Sequence, residues 1–148
     1  MNRLRPILLA EDNANDLELT LAALAENGLA NEIVVVRDGA DALDFLHRRG
    51  RHSNRPKGIP ALVLLDLKMP KVDGIEVLRH IKQDDELRRV PVVMLTSSRE
   101  EQDVVRSYEL GVNAYVVKPV AFGQFMGAVR QLGAFWGVAN EPPPLATP

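Results

Sequence analysis

Short apolar runs rich in β-branched residues alternate along the chain with segments whose apolar residues recur at helical spacing. In the first helical segment, Leu17, Leu21 and Leu24 lie at positions i, i+4 and i+7. The runs predicted to be strands are Ile7–Ala10, Ile33–Val36, Leu62–Leu65, Pro91–Leu95 and Ala114–Val117. Strands that alternate with helices form parallel sheets with helices on both faces. The pattern therefore predicts an α/β fold with five strands and five helices.

Capping residues mark the ends of several predicted helices. Asn13, Asp38 and Asp73 each stand directly before a helical segment, where their side chains can accept hydrogen bonds from free backbone N–H groups. Gly28 and Gly111 stand where helices should end. These signals are independent of the apolar spacing, and they support the same division of the chain.

Composition and charge narrow the class of protein. The chain has 148 residues, a formal net charge of −2 and no cysteine, so neither a general nucleic-acid interface nor thiolate chemistry is expected. No apolar stretch approaches the roughly 20 residues of a membrane helix, and the run Ile7–Ala10 is too short for a signal peptide. We expect a cytoplasmic protein without a membrane partner. One domain is predicted over residues 1–140, followed by a Pro-rich, flexible tail over residues 141–148.

Polar residues with complementary chemistry follow four of the predicted strands. Glu11 and Asp12 follow the first strand, Asp66 the third, Thr96 the fourth and Lys118 the fifth. Because the carboxyl ends of parallel strands lie at one edge of a sheet, these residues are expected to meet there. Each alone has an ordinary structural role as a turn acid, a helix cap or a surface lysine. Together they provide three carboxylates, a hydroxyl and an ammonium group.

This combination predicts magnesium-dependent phosphoryl chemistry. Three clustered carboxylates repel one another, and Mg²⁺ is a hard cation that binds oxygen ligands. Mg²⁺ and Lys118 would roughly balance the three negative charges and stabilise a transferring phosphoryl group. Asp66 is the candidate nucleophile, because a carboxylate can accept that group as an aspartyl phosphate. Thr96 is a candidate donor to a phosphate oxygen.

The same motifs resemble the receiver domain of two-component response regulators. The motifs are Glu11-Asp12, Asp66 with Met69-Pro70 and Asp73-Gly74, Thr96-Ser97, and Lys118-Pro119. The resemblance spans about residues 5–138. It implies a flavodoxin-like receiver fold, that is, a doubly wound α/β fold whose five-stranded parallel sheet has the order 2-1-3-4-5. Because no output domain follows, the chain resembles a stand-alone receiver.

Three features are similar to the small regulators that partner phytochromes and related histidine kinases. They are the opening Glu11-Asp12-Asn13, the long loop before the third strand, and the aromatic ending Phe135-Trp136 followed by prolines. The implied partner is therefore a histidine kinase of the bacteriophytochrome type. The implied function is that of a single-domain response regulator in a two-component phosphorelay.

The resemblance also implies a role for each site residue. Asp66 is the implied phosphoacceptor. The implied Mg²⁺ ligands are Glu11, Asp12, Asp66 and the backbone carbonyl of Lys68. The implied phosphoryl-binding residues are Thr96 and Lys118, and the implied switch residues are Thr96 and Tyr115. The protein is then expected to be a phosphoacceptor signalling protein that catalyses only its own phosphotransfer and autodephosphorylation.

The last predicted helix carries more apolar residues than packing on a sheet requires. Phe122, Phe125 and Trp136 belong to this surplus. Together with Tyr115 nearby on the fifth strand, they predict a two-fold dimer face formed by helix four, strand five and helix five. A helix covered by the C-terminal tail is the other interpretation.

A Mg²⁺-dependent phosphohydrolase that forms an aspartyl-phosphate intermediate is the alternative function. The haloacid-dehalogenase type of hydrolase carries a second Asp two residues after its nucleophile, where this chain has Lys68. A third possibility is an interaction module that does not respond to phosphorylation, but such modules usually lack one of the acids, the threonine or the lysine.

Two further groups are expected to lie in solvent. His47, His52 and His80 fall on predicted loops or helix ends, and no two of them have the spacing of metal ligands. The basic loop over residues 48–60 is predicted to be a solvated loop, with docking of a kinase or of an anion as the alternative.

Overall fold

The structure is a computed structural model that describes residues 5–26, 31–96, 108–112 and 114–117. Its strands are β1 (Ile7–Ala10), β2 (Ile33–Val36), β3 (Leu62–Leu65), β4 (Val92–Thr96) and β5 (Ala114–Val117). Its helices are α1 (Ala14–Glu26), α2 (Gly39–Leu46) and α3 (Gly74–Gln83), with short 3₁₀ helices at Gly50–His52 and Leu87–Arg89. The fifth predicted helix and most of the fourth lie outside the described residues.

The strands form one parallel sheet in the order β2-β1-β3-β4-β5. β1 lies between β2 and β3, and its Ala10 is in register with Val36 on one side and Leu65 on the other. This arrangement confirms the predicted α/β class with a parallel sheet. The strand β4 begins at Val92 and ends at Thr96, one residue later at each end than the apolar run predicted. No helix within the described residues is long and apolar enough to cross a membrane.

Successive side chains of a strand point to opposite faces of the sheet, and helices cover both faces. Leu8, Val63 and Met94 pack with the apolar side chains of α2 and α3. On the other face, Leu9 and Leu64 pack with Leu24 and other residues of α1. The strands therefore read as continuous apolar runs, as expected for a parallel sheet covered on both sides.

The predicted helix caps are present. The carboxylate of Asp38 accepts a hydrogen bond from the backbone N–H of Asp41 at 2.7 Å. Asp73 accepts one from Glu76 N–H at 2.9 Å, and Asn13 Oδ1 accepts one from Asp16 N–H at 2.9 Å. Each cap lies directly after a strand or its loop, so the caps fix the angle at which the chain leaves the edge of the sheet.

His52 is buried, and the expectation that it lies in solvent was wrong. Only 8% of the residue is exposed, and its Nε2 atom lies 2.8 Å from Asp41 Oδ1. Its ring meets the ring of Phe45 edge-on, with centroids 5.3 Å apart. Burial raises the pKa of Asp41, but hydrogen bonds from Arg51 and His52 outweigh this effect and leave that pKa below its ordinary value.

Arg55 fixes the path of the basic loop. Its guanidinium donates to the carbonyls of Phe45 and Leu46 at the end of α2, at 2.6 and 3.1 Å. It also donates to the carbonyls of Pro56 and Gly58, at 3.0 and 3.1 Å. A cation at the carboxyl end of a helix complements the helix dipole. The loop is therefore attached to α2 rather than simply solvated.

The first residue of α2 lies against the loop that follows β3. A Cβ atom at Gly39 would lie 1.8 Å from the carbonyl oxygen of Val72. The N–H of Gly39 donates to Pro70 O at 3.4 Å. This close approach of two backbones requires glycine, because backbone atoms cannot move away as a flexible side chain can.

We predict that Gly39→Ala destabilises the protein by about 3 kcal/mol, because the added methyl group overlaps the backbone of the β3–α3 loop. Urea unfolding followed by circular dichroism measures the change. The matched control is Ala22→Gly on the exposed face of α1, which should cost about 1 kcal/mol from helix propensity alone. Equal destabilisation by the two variants would contradict the proposed contact.

Candidate functional site

Three carboxylates meet at the carboxyl edge of the sheet. Glu11 and Asp12 directly follow β1, and Asp66 directly follows β3. One carboxylate oxygen from each lies within 4.8 Å of the others. The parallel ladder produces this arrangement, since the N–H of Asp66 donates to Ala10 O at 3.0 Å and extends the pairing by one residue past the strand end. The sequence predicted this cluster.

Two of the three acids are buried. Glu11 is 1% exposed and Asp66 is 6% exposed, whereas Asp12 is more accessible. A buried carboxylate is costly unless hydrogen bonds or a cation compensate its charge. Glu11 Oε2 accepts a hydrogen bond from the N–H of Asn13 at 3.1 Å. This bond is one of the interactions that hold the buried carboxylate of Glu11 in place.

Arg37 is a residue of this edge that the sequence reasoning missed. It directly follows β2, and its Nη2 atom donates to the carbonyl oxygen of Asp12 at 3.0 Å. Glu11 N–H in turn donates to Val36 O at 3.0 Å. Its position directly after a predicted strand is the sequence signal that could have identified it, since β2 also ends at the carboxyl edge. Arg37 holds the backbone that carries Asp12.

The loop between β3 and α3 forms the other wall of the site. The N–H of Gly74 donates to Leu67 O at 2.6 Å, and Val72 N–H donates to Pro70 O at 2.8 Å. The second bond closes a three-residue turn around Lys71, whose φ of 69° lies in the left-handed region. Lys71 Nζ lies 3.5 Å from Asp38 Oδ2. The loop that carries Lys68 is thus held at both of its ends.

The remaining predicted site residues lie on β4, on β5 or outside the described residues. Thr96 is the last residue of β4, in register with Val117, and Tyr115 is in register with Met94. The backbone therefore places Thr96 at the same edge as the three acids. Lys118, Phe122, Phe125 and Trp136 lie outside the described residues.

The donor set suits a small, hard cation. All three side chains offer oxygen atoms, and they lie close enough to share one ion. A divalent cation would cancel two of the three negative charges in a region where two of the acids are shielded from water. Glu11, Asp12 and Asp66 are therefore the residues that would hold a metal ion.

The chain belongs to the response regulator receiver domain family, whose family model matches residues 7–130. This membership agrees with the parallel sheet and the acid cluster. It also argues against the alternative of an aspartyl-phosphate hydrolase, which would need a general acid where Lys68 stands.

Within this family, the chain is similar to three response regulators in particular. The chain is 43% identical to the response regulator Rcp1 of Synechocystis sp. over 130 residues, which are 88% of this chain and 87% of that protein. A Mn²⁺-bound structure of Rcp1 superposes with a TM-score of 0.76 at 41% identity and covers 95% of this chain and 99% of that chain.

The bacteriophytochrome response regulator RtBRR is 63% identical, with a TM-score of 0.86 and coverage of 96% of this chain and 86% of that chain. The phosphorylated cyanobacterial phytochrome response regulator RcpA is 42% identical, with a TM-score of 0.76 and coverage of 90% and 94%. The chain is thus similar to regulators whose names refer to phytochromes, one of them phosphorylated and one bound to a metal.

We predict that Asp12→Asn weakens Mg²⁺ binding at least about tenfold, because it removes one charged ligand from the cluster. Isothermal titration calorimetry measures the affinity. Asp85→Asn is the matched control, because it removes the same charge from an exposed loop away from the cluster, and it should bind Mg²⁺ as the unaltered protein does. Equal weakening by both variants would show that Mg²⁺ responds to net charge rather than to this site.

Proposed function

We propose that the protein is a phosphoacceptor response regulator whose Asp66 receives a phosphoryl group from a histidine kinase in a Mg²⁺-dependent reaction. The observation that carries the proposal is the buried carboxylate of Asp66 within 4.8 Å of the carboxylates of Glu11 and Asp12. A nucleophile needs its charge preserved and its position fixed. The end of β3, paired with Ala10, fixes the position.

The transfer step conserves atoms and charge. A carboxylate oxygen of Asp66 attacks the phosphorus of a phosphohistidine, an O–P bond forms and the P–N bond breaks. The bonding electron pair stays on the imidazole nitrogen of the kinase, which then takes up a proton. A bound Mg²⁺ would offset the charge of the phosphoryl oxygens. Glu11, Asp12 and the backbone carbonyl of Lys68 are the proposed ligands beside Asp66.

The response to phosphorylation is proposed to begin at Thr96. Its hydroxyl would bind a phosphoryl oxygen, as Lys118 would with its ammonium group, and Tyr115 would move into the space that Thr96 leaves. A ligand changes a conformational equilibrium only through interactions that differ between the two states. The hydrogen bond from Thr96 is that interaction here. The parallel pairing of β4 with β3, in which Met94 is in register with Leu65, supports this proposal, because Thr96 and Asp66 then follow at the same edge.

The output is proposed to be a change in association. A receiver with five helices over residues 1–140, followed by a tail over residues 141–148, would present a face made of helix four, β5 and helix five. Phe122, Phe125 and Trp136 are the proposed apolar residues of a homodimer contact on that face. A histidine kinase of the bacteriophytochrome type is the proposed partner, and the 63% identity with the bacteriophytochrome response regulator RtBRR supports this assignment.

We predict that incubation with Mg²⁺ and a small acyl phosphate adds one acid-labile phosphoryl group, and that Asp66→Asn abolishes the addition. The mutant loses its nucleophile, because an amide oxygen cannot form the acyl phosphate. Intact-protein mass spectrometry measures the addition. Asp85→Asn should be labelled as the unaltered protein is. Chelation of Mg²⁺ should stop the labelling of both. Full labelling of Asp66→Asn would place the phosphoacceptor elsewhere.

We also predict that Trp136→Asp lowers the mass seen in sedimentation to that of one chain without changing the circular dichroism spectrum. A two-fold contact contains each altered residue twice, so one charge is introduced on both sides. Trp136→Phe keeps an aromatic ring and should retain the dimer. The dimer proposal fails if the unaltered protein sediments as a monomer at tens of micromolar, both with and without a phosphoryl mimic.

A further inference from the structure

A cavity of about 540 Å³ opens at the amino edge of the sheet. Arg5 and Pro6 precede β1, Glu32 precedes β2 and Ile59 lies before β3, and all four line the cavity. The acid cluster follows the carboxyl ends of β1 and β3, so the cavity lies at the opposite edge of the sheet. Its volume is within the roughly 300–1,000 Å³ range of small-molecule sites in proteins.

The interior of the cavity is apolar, with one buried polar side chain. Pro6, Val34, Phe45 and Ile59 provide the apolar walls. His52 also lines the cavity, and only 8% of it is exposed. Its Nε2 atom contacts Asp41 at 2.8 Å, while its Nδ1 atom has no hydrogen-bond partner within the described ranges.

Charged groups surround the opening, and some of them already bind other groups of the protein. Arg51 is bound to Asp41 through Nε and Nη2, and the donors of Arg55 are directed to backbone carbonyls. Arg5, Lys57 and Glu32 have no ion pair with any residue that the structure describes. Arg55 keeps its positive charge, because its carbonyl partners are neutral. The opening is therefore net positive, since Arg5, Arg55 and Lys57 face the single carboxylate of Glu32.

From this geometry we infer that the cavity binds a small organic monocarboxylate with an apolar body. The apolar walls would cover the body, and the carboxylate would lie at the opening near Arg5 and Lys57. The net positive charge of the opening favours an anionic group over a neutral one. Burial of apolar ligand surface would supply most of the affinity, and the charged opening would orient the ligand. The walls are held in place by Arg55 and by the contact of Asp41 with His52.

Binding in the cavity is separate from the phosphoryl chemistry. No residue of the acid cluster lines it. The inference is therefore tested without Mg²⁺ or a phosphoryl donor, and Asp66→Asn should bind the same ligands with unchanged affinity. A failure to bind carboxylates leaves the proposed phosphoacceptor function intact, and a failure to accept phosphate leaves the cavity intact.

The probe is 2-naphthoate, compared with the uncharged 2-naphthamide and with acetate, which lacks the apolar body. Two-dimensional ¹⁵N–¹H NMR of the full chain should show saturable shifts for 2-naphthoate, concentrated at residues 5–6, 32–34 and 50–59. 2-Naphthamide and acetate should each bind more weakly. Absence of saturable binding at millimolar 2-naphthoate, or shifts centred outside these residues, would overturn the inference.

Charge variants at the opening test whether positive charge there favours binding of the carboxylate. Lys57→Gln should weaken 2-naphthoate binding about two- to fivefold, and Glu32→Gln should strengthen it by a similar factor, as expected for exposed charges. Arg89→Gln is the matched control, because Arg89 is an exposed cation that does not line the cavity, and this variant should bind 2-naphthoate with unchanged affinity. Because the altered side chains are exposed, folding is preserved. Equal affinities of Lys57→Gln and Glu32→Gln would contradict the inference.

Discussion

The pairing of β1 with β3 in a buried parallel sheet is the constraint on which the rest of the structure depends. Glu11 and Asp66 are almost inaccessible to water, and their oxygens lie within 4.8 Å of one from Asp12. Like charges in such a position destabilise the fold unless a cation or donors compensate them. The arrangement persists because β1 and β3 pair in a buried parallel sheet, and the register of Ala10 with Leu65 sets the positions of the residues that follow. The pairing of the two strands thus holds the three acids together.

The sequence predicted the features that depend on local signals. Four strands have the bounds that their apolar runs indicated, and the caps at Asn13, Asp38 and Asp73 are formed. The acid cluster was predictable for a related reason, because parallel pairing brings all residues after the strands to one edge. No contact of a specific side chain with a distant side chain was needed for these predictions.

The sequence did not predict features that depend on contacts between separate elements. His52 is buried because Asp41, eleven residues earlier on α2, accepts its hydrogen bond and Phe45 lies against its ring. Arg55 leaves the solvent because the last carbonyls of α2 are available to it. Neither partner can be identified from spacing, since the loop between them has no periodic pattern. The contact of Arg37 with the carbonyl of Asp12 joins two loops, so it likewise appears only in the folded chain.

The helix α2 connects the two edges of the sheet. Its first residue, Gly39, lies against the loop that follows Asp66, and its cap Asp38 lies 3.5 Å from Lys71 of that loop. Its last carbonyls and Asp41 hold the walls of the cavity at the amino edge. A helix of eight residues spans only about 12 Å, so the contacts at its two ends lie close together. Coupling between the edges requires that α2 have two arrangements that the two sites favour differently. With a single arrangement of α2, a ligand in the cavity and a phosphoryl group on Asp66 would bind independently, in keeping with the separate residues that form the two sites.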